Sequence, residues 1–570
     1  MTENVHEAVQ YGVTPPVSFA FPTDGQAQMD SDLEYILNEK GIFESVAGQK
    51  SRDAVVTELQ ILVRSWVETC GKEKGYPFED YTEGGGTTML LFGSQRLEVH
   101  TPDSDIDILC LTPKFAPRHE FFSTFTDILE NYSGVTNVCP LPEAYTPLMK
   151  FELYNYSVDM IFVSLPVSHI PNNLNILDNT YLYGLDEQSI RSLNGCRVAE
   201  MILQLVPRVD VFRSTLLAIK YWANQRGIYS NMLGFLGGVN YAILVAFVCQ
   251  KYINACPATL VHKFFIMYAA WRWPMPILLT PIQDSSDPSI QHLSITQPWR
   301  SSSNPRDKMP IITPAYPAMN SAYNVGTPHL RVIQEEIARG RQIFHNYFHS
   351  NASTHTTGEG FPWDLLFKSS VREYFTRYPR YVQLDVISPQ EKHVQWLGWC
   401  ESRMRGLPLA LDQNYMIAHP HALSFEQSLS STNNTCHIAE KDNHNDNHNN
   451  NNNNNDNNQP NHHVSKSSKS VSQLTSKPIN SMRITSFFVG LSFKQGIQSV
   501  DATECVQDFL YHLSNWNGWE SGMDLQMAAL ERREVPSFVY STCEESSSEV
   551  MKENHILSRK RRREEREEEE

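Results

Sequence analysis

The residues with the clearest chemical potential lie between Phe92 and Leu111, in FGSQRLEVHTPDSDIDILCL. Asp105 and Asp107 stand one residue apart at the head of an apolar run. In a strand alternate side chains share a face, so both carboxylates point the same way, roughly 6–7 Å apart. Two buried carboxylates repel, and without a cation one of them is driven to hold a proton. Hard divalent cations prefer oxygen ligands and would remove that cost. Two such ions roughly 4 Å apart form the arrangement used for in-line displacement at phosphorus. By itself Asp-x-Asp also fits a solvated strand end. Gly93-Ser94 adds to it, with Ser94 eleven residues before Asp105. The glycine lets backbone approach a phosphate closely, and the serine offers a hydroxyl and an N–H. Together the two motifs read as a metal–nucleotide site.

A third carboxylate then has to come from a neighbouring strand. FELYNYSVDMIFVSL supplies Asp159, which interrupts the apolar stretch 158–163. A lone acid there is costly unless it meets positive charge. It reads as a third metal ligand; the alternative is a strand-end acid at a bulge.

These side chains need a frame. A chain of 570 residues is too long for one core, so two or three domains are expected. The composition is globular, with 41% hydrophobic, 11% aromatic and 19% charged residues. A formal net charge of −17 excludes a general nucleic-acid coat protein. It leaves room for an enzyme with one basic groove and predicts weak unaided binding to RNA. The ten cysteines form no Cys-x-x-Cys pair and no zinc spacing, which fits reduced thiols in an intracellular protein. MTENVHEAVQ lacks a signal pattern, and the apolar stretches 241–249 and 274–280 are too short to span a bilayer. A soluble nuclear or cytosolic protein, with no membrane association, is expected.

Periodicity predicts an extended, proline-rich arm within residues 1–30, then helices over 31–40 and 51–70. Mixed strands and helices follow to about Val167, and a strongly helical stretch covers 186–262. Residues 285–324 read as long loops and 332–348 as a helix. A third region begins at Phe361, with strands over 381–387 and 484–493 and helices over 389–407 and 506–513. Residues 443–463 are almost pure Asn, His and Asp and read as a disordered insertion, since they cannot build a core. A His-rich metal site there would lack fixed geometry. The basic run 559–563 reads either as a nuclear-import signal or as solvated charge.

Several segments, in order, resemble the eukaryotic nuclear-type poly(A) polymerases of the nucleotidyltransferase superfamily. They are YGVTPP, FGSQRLEVHTPDSDIDILC, IKYWANQRGIYSNMLGFLGGVNYAILVAFVCQKY, MPIITPAYPAMNSAYNV, WLGWCESRMRGL and FFVGLSF. The resemblance covers roughly residues 10–425 and 484–540. It implies a multi-domain α+β protein. An N-terminal arm and helices (1–54) would pack on the central domain. A mixed-sheet nucleotidyltransferase domain (55–185), a helical central domain (186–350) and an α/β RNA-binding domain (351–540) would follow. The last would hold an Asn/His-rich insertion (430–480), and a charged tail (541–570) would end the chain.

The resemblance also implies template-independent transfer of AMP from ATP to RNA 3′ ends, mRNA above all, with release of pyrophosphate. Two Mg²⁺ or Mn²⁺ ions would be held by Asp105, Asp107 and Asp159, with Asp159 on the ion that activates the RNA 3′-hydroxyl. Phe92, Gly93, Ser94 and Thr101 align with nucleotide-contacting positions, as do Lys220, Tyr229, Gly238 and Val239. Lys220 lies on a helix read as 213–225, with Asp210 as N-cap and Gly227 as stop. From the residues alone it could equally be a snorkelling lysine, Tyr229 a packed aromatic and Gly238-Val239 a bare turn. The implied setting is a nuclear monomer working with cleavage and polyadenylation factors, with cytoplasmic residence open.

Two positions depart from the family pattern. Gln95 stands where it has Tyr, and Glu98 where it has Gly. Glu98 adds bulk and negative charge near a triphosphate site. A terminal nucleotidyltransferase preferring another NTP, such as UTP, and a catalytically weak RNA-binding paralogue therefore stay open. The aromatic and basic residues of VREYFTRYPRYVQL (371–384) suit either stacking on RNA or an ordinary core.

Overall fold

The computed structural model describes residues 11–540 apart from 82–85, 172, 284–297, 354–359, 413–415, 429–481, 494–495 and 497–500. The Asn/His-rich insertion and the basic run near the end of the chain lie outside the described residues.

The first sheet contains β1 (Thr88–Leu91), β2 (Ile106–Thr112), β3 (Val135–Leu141), β4 (Leu148–Leu153) and β5 (Tyr156–Ser164), in the order β1-β2-β5-β4-β3. β2 and β5 run parallel, while β4 and β5 form a hairpin closed by Tyr154 and Asn155 at φ 51° and 68°. Positive φ at both central residues gives the twist that matches paired strands. Alternation along β2 splits its side chains between two cores. Ile106, Ile108 and Cys110 pack with Trp66, Phe121 and Phe162. Leu109 and Leu111 face the other way, toward Leu193 of the Glu187–Leu205 helix. Asp105 and Asp107 share the parity of Leu109 and Leu111, so they face the helical region.

The long helix Val46–Glu73 covers the opposite face with Val55, Leu59, Val63 and Trp66. It begins five residues earlier than the periodicity suggests because Ser45 caps the Gly48 N–H at 2.9 Å. The preceding helix, Asp24–Glu39, also starts early, through a reciprocal capping box between Thr23 and Gln26. Before it the extended arm reaches the helical region, where Val17 and Ser18 N–H both donate to the Lys251 carbonyl.

The middle of the chain is helical: Glu187–Leu205, Val209–Gln225, Gly238–Lys251, Pro257–Ala269 and Thr327–Ser353. They share one core that includes Phe212, Trp222, Phe264 and Phe344. Asp210 is not the N-cap of its helix. Arg208 holds that position without a side-chain cap, and Asp210 lies in the first turn, 3.2 Å from Arg208. An acid there is favoured by the helix dipole, so the residue is well placed but two positions too late to cap. Gly227 ends the helix as expected, at φ 66° with its N–H on the Asn224 carbonyl.

The last region holds a second sheet of β6 (Arg380–Pro389), β7 (Met416–Pro420), β8 (Phe425–Ser428), β9 (Met482–Phe493) and β10 (Asp524–Glu531). Its order is β10-β6-β9-β7, with β8 also on β9. The helix Gln390–Met404 packs on it, and Thr503–Ser514 packs against that helix and Gly406–Leu411. Tyr374, Phe375, Tyr378 and Tyr381 are 5% exposed or less and pack together with Phe425 and Phe488. The Tyr374 hydroxyl lies within donating distance of both the His419 and the Phe488 carbonyls, at 3.0 and 3.1 Å. These aromatics therefore form a core and offer no stacking platform for RNA bases. The architecture is α+β, with the mixed sheet, the helical middle and the α/β region in the expected sequence.

Candidate active site

The site grows from strand register. Asp107 on β2 and Asp159 on β5 are direct partners across the parallel pair. Neighbouring strands lie about 4.8 Å apart, and direct partners present their side chains to the same face. Asp105, two residues before Asp107, joins that face at the edge of the sheet. On β4, Lys150 is the register partner of Asp159, so positive charge closes the row. Its ammonium lies 2.8 and 2.6 Å from the two Asp159 oxygens.

The turn leaving β1 is shaped by Gly93. It has φ 57°, and a Cβ there would sit 2.3 Å from the Asp107 Oδ2. Glycine is needed both for the left-handed backbone and for the carboxylate's room. Phe92 N–H donates to the Asp107 carbonyl at 3.2 Å, tying the turn to the strand. The Phe92 ring fills the space left by Gly195 on the facing helix.

Above the acids lies a cavity of about 610 Å³, walled by both the mixed sheet and the helical region. Phe92, Gly93, Ser94, Asp105 and Asp107 line it from one side. Lys220, Tyr229, Gly238 and Val239 line it from the other. A volume of this kind suits a small organic ligand. Gly238 opens a 14-residue helix, which turns backbone N–H groups and the positive end of the helix dipole toward the space. Asn240 fixes that helix start, accepting from the Gly237 N–H at 2.7 Å and donating to Ser321 Oγ at 2.7 Å. Lys220 Nζ donates to the Val99 carbonyl at 2.7 Å. Tyr229 stacks on Tyr241 with the rings 5.7 Å apart and nearly parallel.

Thr101 lies outside the cavity lining. Its N–H and hydroxyl engage Ser104 Oγ at 2.9 and 3.0 Å. Asp159 also lies outside the lining, beside Asp107 on the neighbouring strand. Glu98 does not enter the cavity either: it sits at φ 55°, which explains a glycine preference there, and pairs with Arg213 at 2.8 Å. Gln95 is buried, and its Nε2 has no hydrogen-bond partner. It too is absent from the lining.

Electrostatics mark the acids as an excess of negative charge. Burial, and after it the charges of Asp159 and Asp105, raise the Asp107 carboxyl to about 7. Asp105, at the open edge, is raised by partial burial and by the Asp159 charge. Burial lowers the Lys220 ammonium to about 8, against the pull of Asp107. Among the described residues no three His, Cys, Asp or Glu side chains are already gathered into an ion cage. The donor set is nonetheless one of hard oxygens with too little positive charge, which suits a divalent cation entering with its own waters and phosphate ligands.

Reading residue types missed Lys150. The signal was present: Leu153 and Tyr156 flank a two-residue turn, and that register sets residue 150 opposite 159. Ser104, Asp103, Asn194 and Thr313 were also missed; they line the cavity but carry no local motif.

Three family models match the chain in order. They are the poly(A) polymerase nucleotidyltransferase domain over residues 12–206, the poly(A) polymerase central domain over 211–357 and the poly(A) polymerase predicted RNA binding domain over 373–549. The chain is 33% identical to poly(A) polymerase PAPalpha of Candida albicans, over 94% of this chain and 93% of that protein. It is 35% identical to nuclear poly(A) polymerase 2 of Arabidopsis thaliana over 93% of this chain, but spans only 59% of that relative's length. A solved cytoplasmic RNA terminal U-transferase aligns at 15% identity with a TM-score of 0.37, covering 60% of this chain and 99% of that one. The chain belongs to the poly(A) polymerase family.

Proposed function

We propose that this protein is a polynucleotide adenylyltransferase that adds AMP from ATP to RNA 3′ ends without a template. The observation that carries the reading is the register pairing of Asp107 with Asp159, beside Asp105, under a cavity that a lysine and a helix N-terminus face. The 3′-hydroxyl oxygen forms the new bond to the α-phosphorus of ATP, the bond to the β-phosphate oxygen breaks, and pyrophosphate leaves. Asp105, Asp107 and Asp159 would hold two Mg²⁺ or Mn²⁺ ions, which would supply Lewis-acid stabilisation of both oxygens at the reacting phosphorus.

The chain's own residues then have separate tasks. Gly93 and Ser94 bring backbone N–H and hydroxyl groups to the triphosphate. Lys220 gives it positive charge, and the Gly238-Val239 amides do so from the helix start. Tyr229, braced by Tyr241, orients the ribose and phosphates. Asp159 belongs with the attacking hydroxyl, and Lys150 holds its carboxylate until RNA and ions arrive. The acceptor is RNA, chiefly mRNA, engaged by the last domain. Thr101 supports the loop through Ser104. Nuclear residence fits the relatives' names, and no helix among the described residues is long and apolar enough to cross a membrane. Cleavage and polyadenylation factors are the expected partners of a monomeric enzyme.

Primer extension tests the reading directly. A labelled RNA is offered each NTP separately with Mg²⁺ or Mn²⁺, and extension with ATP is expected. Equal or better use of UTP would replace adenylation by a different nucleotide preference. No extension with any NTP and either ion would leave the weak RNA-binding paralogue.

A further inference from the structure

Arg52 takes no part in the transfer chemistry, yet it is built into the loop that delivers the acids. It projects from the Val46–Glu73 helix and is 1% exposed. Its Nη1 donates to the Ser104 carbonyl at 2.7 Å. Its Nη2 donates to the Pro102 carbonyl at 2.6 Å and the Thr101 carbonyl at 3.3 Å. Nε donates to Glu44 at 2.9 Å, and the guanidinium lies 5.1 Å from the Tyr156 ring centroid. One side chain thus gathers three carbonyls of the four-residue segment 101–104 that leads into Asp105. The segment also closes on itself, with Ser104 N–H on the Thr101 carbonyl at 3.0 Å.

The Ser104 carbonyl belongs to the peptide that joins Ser104 to Asp105. In a trans peptide the carbonyl and the next N–H point in opposite directions. Holding this carbonyl against Arg52 therefore fixes how Asp105 leaves the turn and how β2 begins. A guanidinium can do this because its donors form a rigid planar fork; an ammonium offers three donors from one point. We propose that Arg52 is a positioning residue, setting Asp105 and Asp107 in the arrangement a divalent cation requires from outside the cavity. The inference rests on the metal-dependent reading of the site given above.

The test uses the full chain as wild type, Arg52→Lys and Arg52→Met. Mn²⁺ alone is the probe, with free Mn²⁺ followed by electron paramagnetic resonance in the absence of RNA and nucleotide. Primer extension with ATP and circular dichroism melting accompany it. Arg52→Lys is expected to fold and to bind Mn²⁺ about 10-fold more weakly, the size of effect seen when groups that orient metal ligands are lost. Its kcat should fall about 10²-fold, as for a reacting group displaced by roughly 1 Å, while the KM for RNA holds. Arg52→Met should be worse than Arg52→Lys on both counts. A folded Arg52→Lys with wild-type Mn²⁺ affinity and kcat would overturn the proposal. So would activity that tracks only the folded fraction. Should Arg52→Lys not fold, Glu44→Gln leaves the guanidinium in place and loosens its anchor. It should weaken Mn²⁺ by a few-fold, and an unchanged affinity would overturn the proposal. Wild-type protein that binds Mn²⁺ but extends RNA with no NTP would sink the proposed function, while the Mn²⁺ comparison still judges Arg52.

Discussion

Two five-stranded sheets among the described residues treat a half-buried acid in opposite ways. On the second sheet, Asp385 of β6 accepts from Gln383 Nε2 at 2.8 and 2.9 Å and from Ser486 Oγ at 2.6 Å. Nearby, His393 bridges Ser388 and Thr485 with two contacts of 2.8 Å. Polar groups there meet one another. On the first sheet, Asp107 faces Asp159 and Asp105, and its carboxyl is driven up to about 7. Lys150 satisfies Asp159 alone. The contrast separates two uses of polarity: a satisfied network holds a fold together, while an unbalanced cluster is poised for something that binds.

Asp107→Asn and Asp385→Asn should pull the two sheets furthest apart. The first should cost at least about 10³-fold in kcat, because it removes a carboxylate from the proposed metal site. Its stability should behave in the reverse way. A carboxyl whose folded pKa is raised contributes stability below its unfolded pKa and loses it as pH climbs through the folded value near 7. The wild-type melting temperature in EDTA should thus fall between about pH 4 and pH 7, and that fall should flatten in Asp107→Asn. Asp385→Asn should leave kcat nearly unchanged and cost about 1–3 kcal/mol in denaturant unfolding, since a charge-assisted network is broken. Equal kinetic losses at both positions would erase the distinction.

A smaller effect is expected at the cavity's cationic side. Lys220→Met should raise the KM for ATP about 10–100-fold, the worth of a hydrogen-bonded charge against phosphate. The wild-type kcat/KM for ATP, at limiting metal, should be bell-shaped. Its acid limb reflects Asp107 gaining a proton below about 7, and its alkaline limb reflects Lys220 losing one above about 8. Lys220→Met should abolish only the alkaline limb. An alkaline limb that survives the substitution would assign it to another group.

The sequence made the first sheet's acids legible because a period of two is enough to put Asp105 and Asp107 on one face. It made Gly227 legible because a helix stop needs a local left-handed residue. What it hid was long-range. Arg52 reads as one more polar residue on a helix, since its partners lie 49–52 positions away. Asp210 reads as a cap because its type is right, yet the cap falls two residues sooner, at Arg208. The tyrosines of 371–381 read equally as core or stacking surface, because burial is set by β9 and by the strand at 425–428, both distant in sequence. The hairpin pairing of Lys150 with Asp159 was within reach, and needed only the turn register to be followed outward.

The least disruptive substitution sharpens the comparison at the edge of the first sheet. Glu98 holds a left-handed backbone at φ 55°, a conformation that costs a residue with a side chain about 1 kcal/mol. Against that stands its ion pair with Arg213, whose side chains are 60% and 26% exposed. An ion pair so open to water contributes about 0.2–1 kcal/mol. Glu98→Gly removes both, so its melting temperature should stay within a few degrees of wild type. Salt screens the pair in the wild type but leaves the backbone cost in place. The glycine variant should therefore gain ground as salt is raised. Its KM for ATP should not change, because the carboxylate points to Arg213 and lines no part of the cavity. A marked fall in that KM would mean that the charge is felt by the triphosphate through the loop, and the unbalanced acids of this sheet would then number one more than the strands reveal.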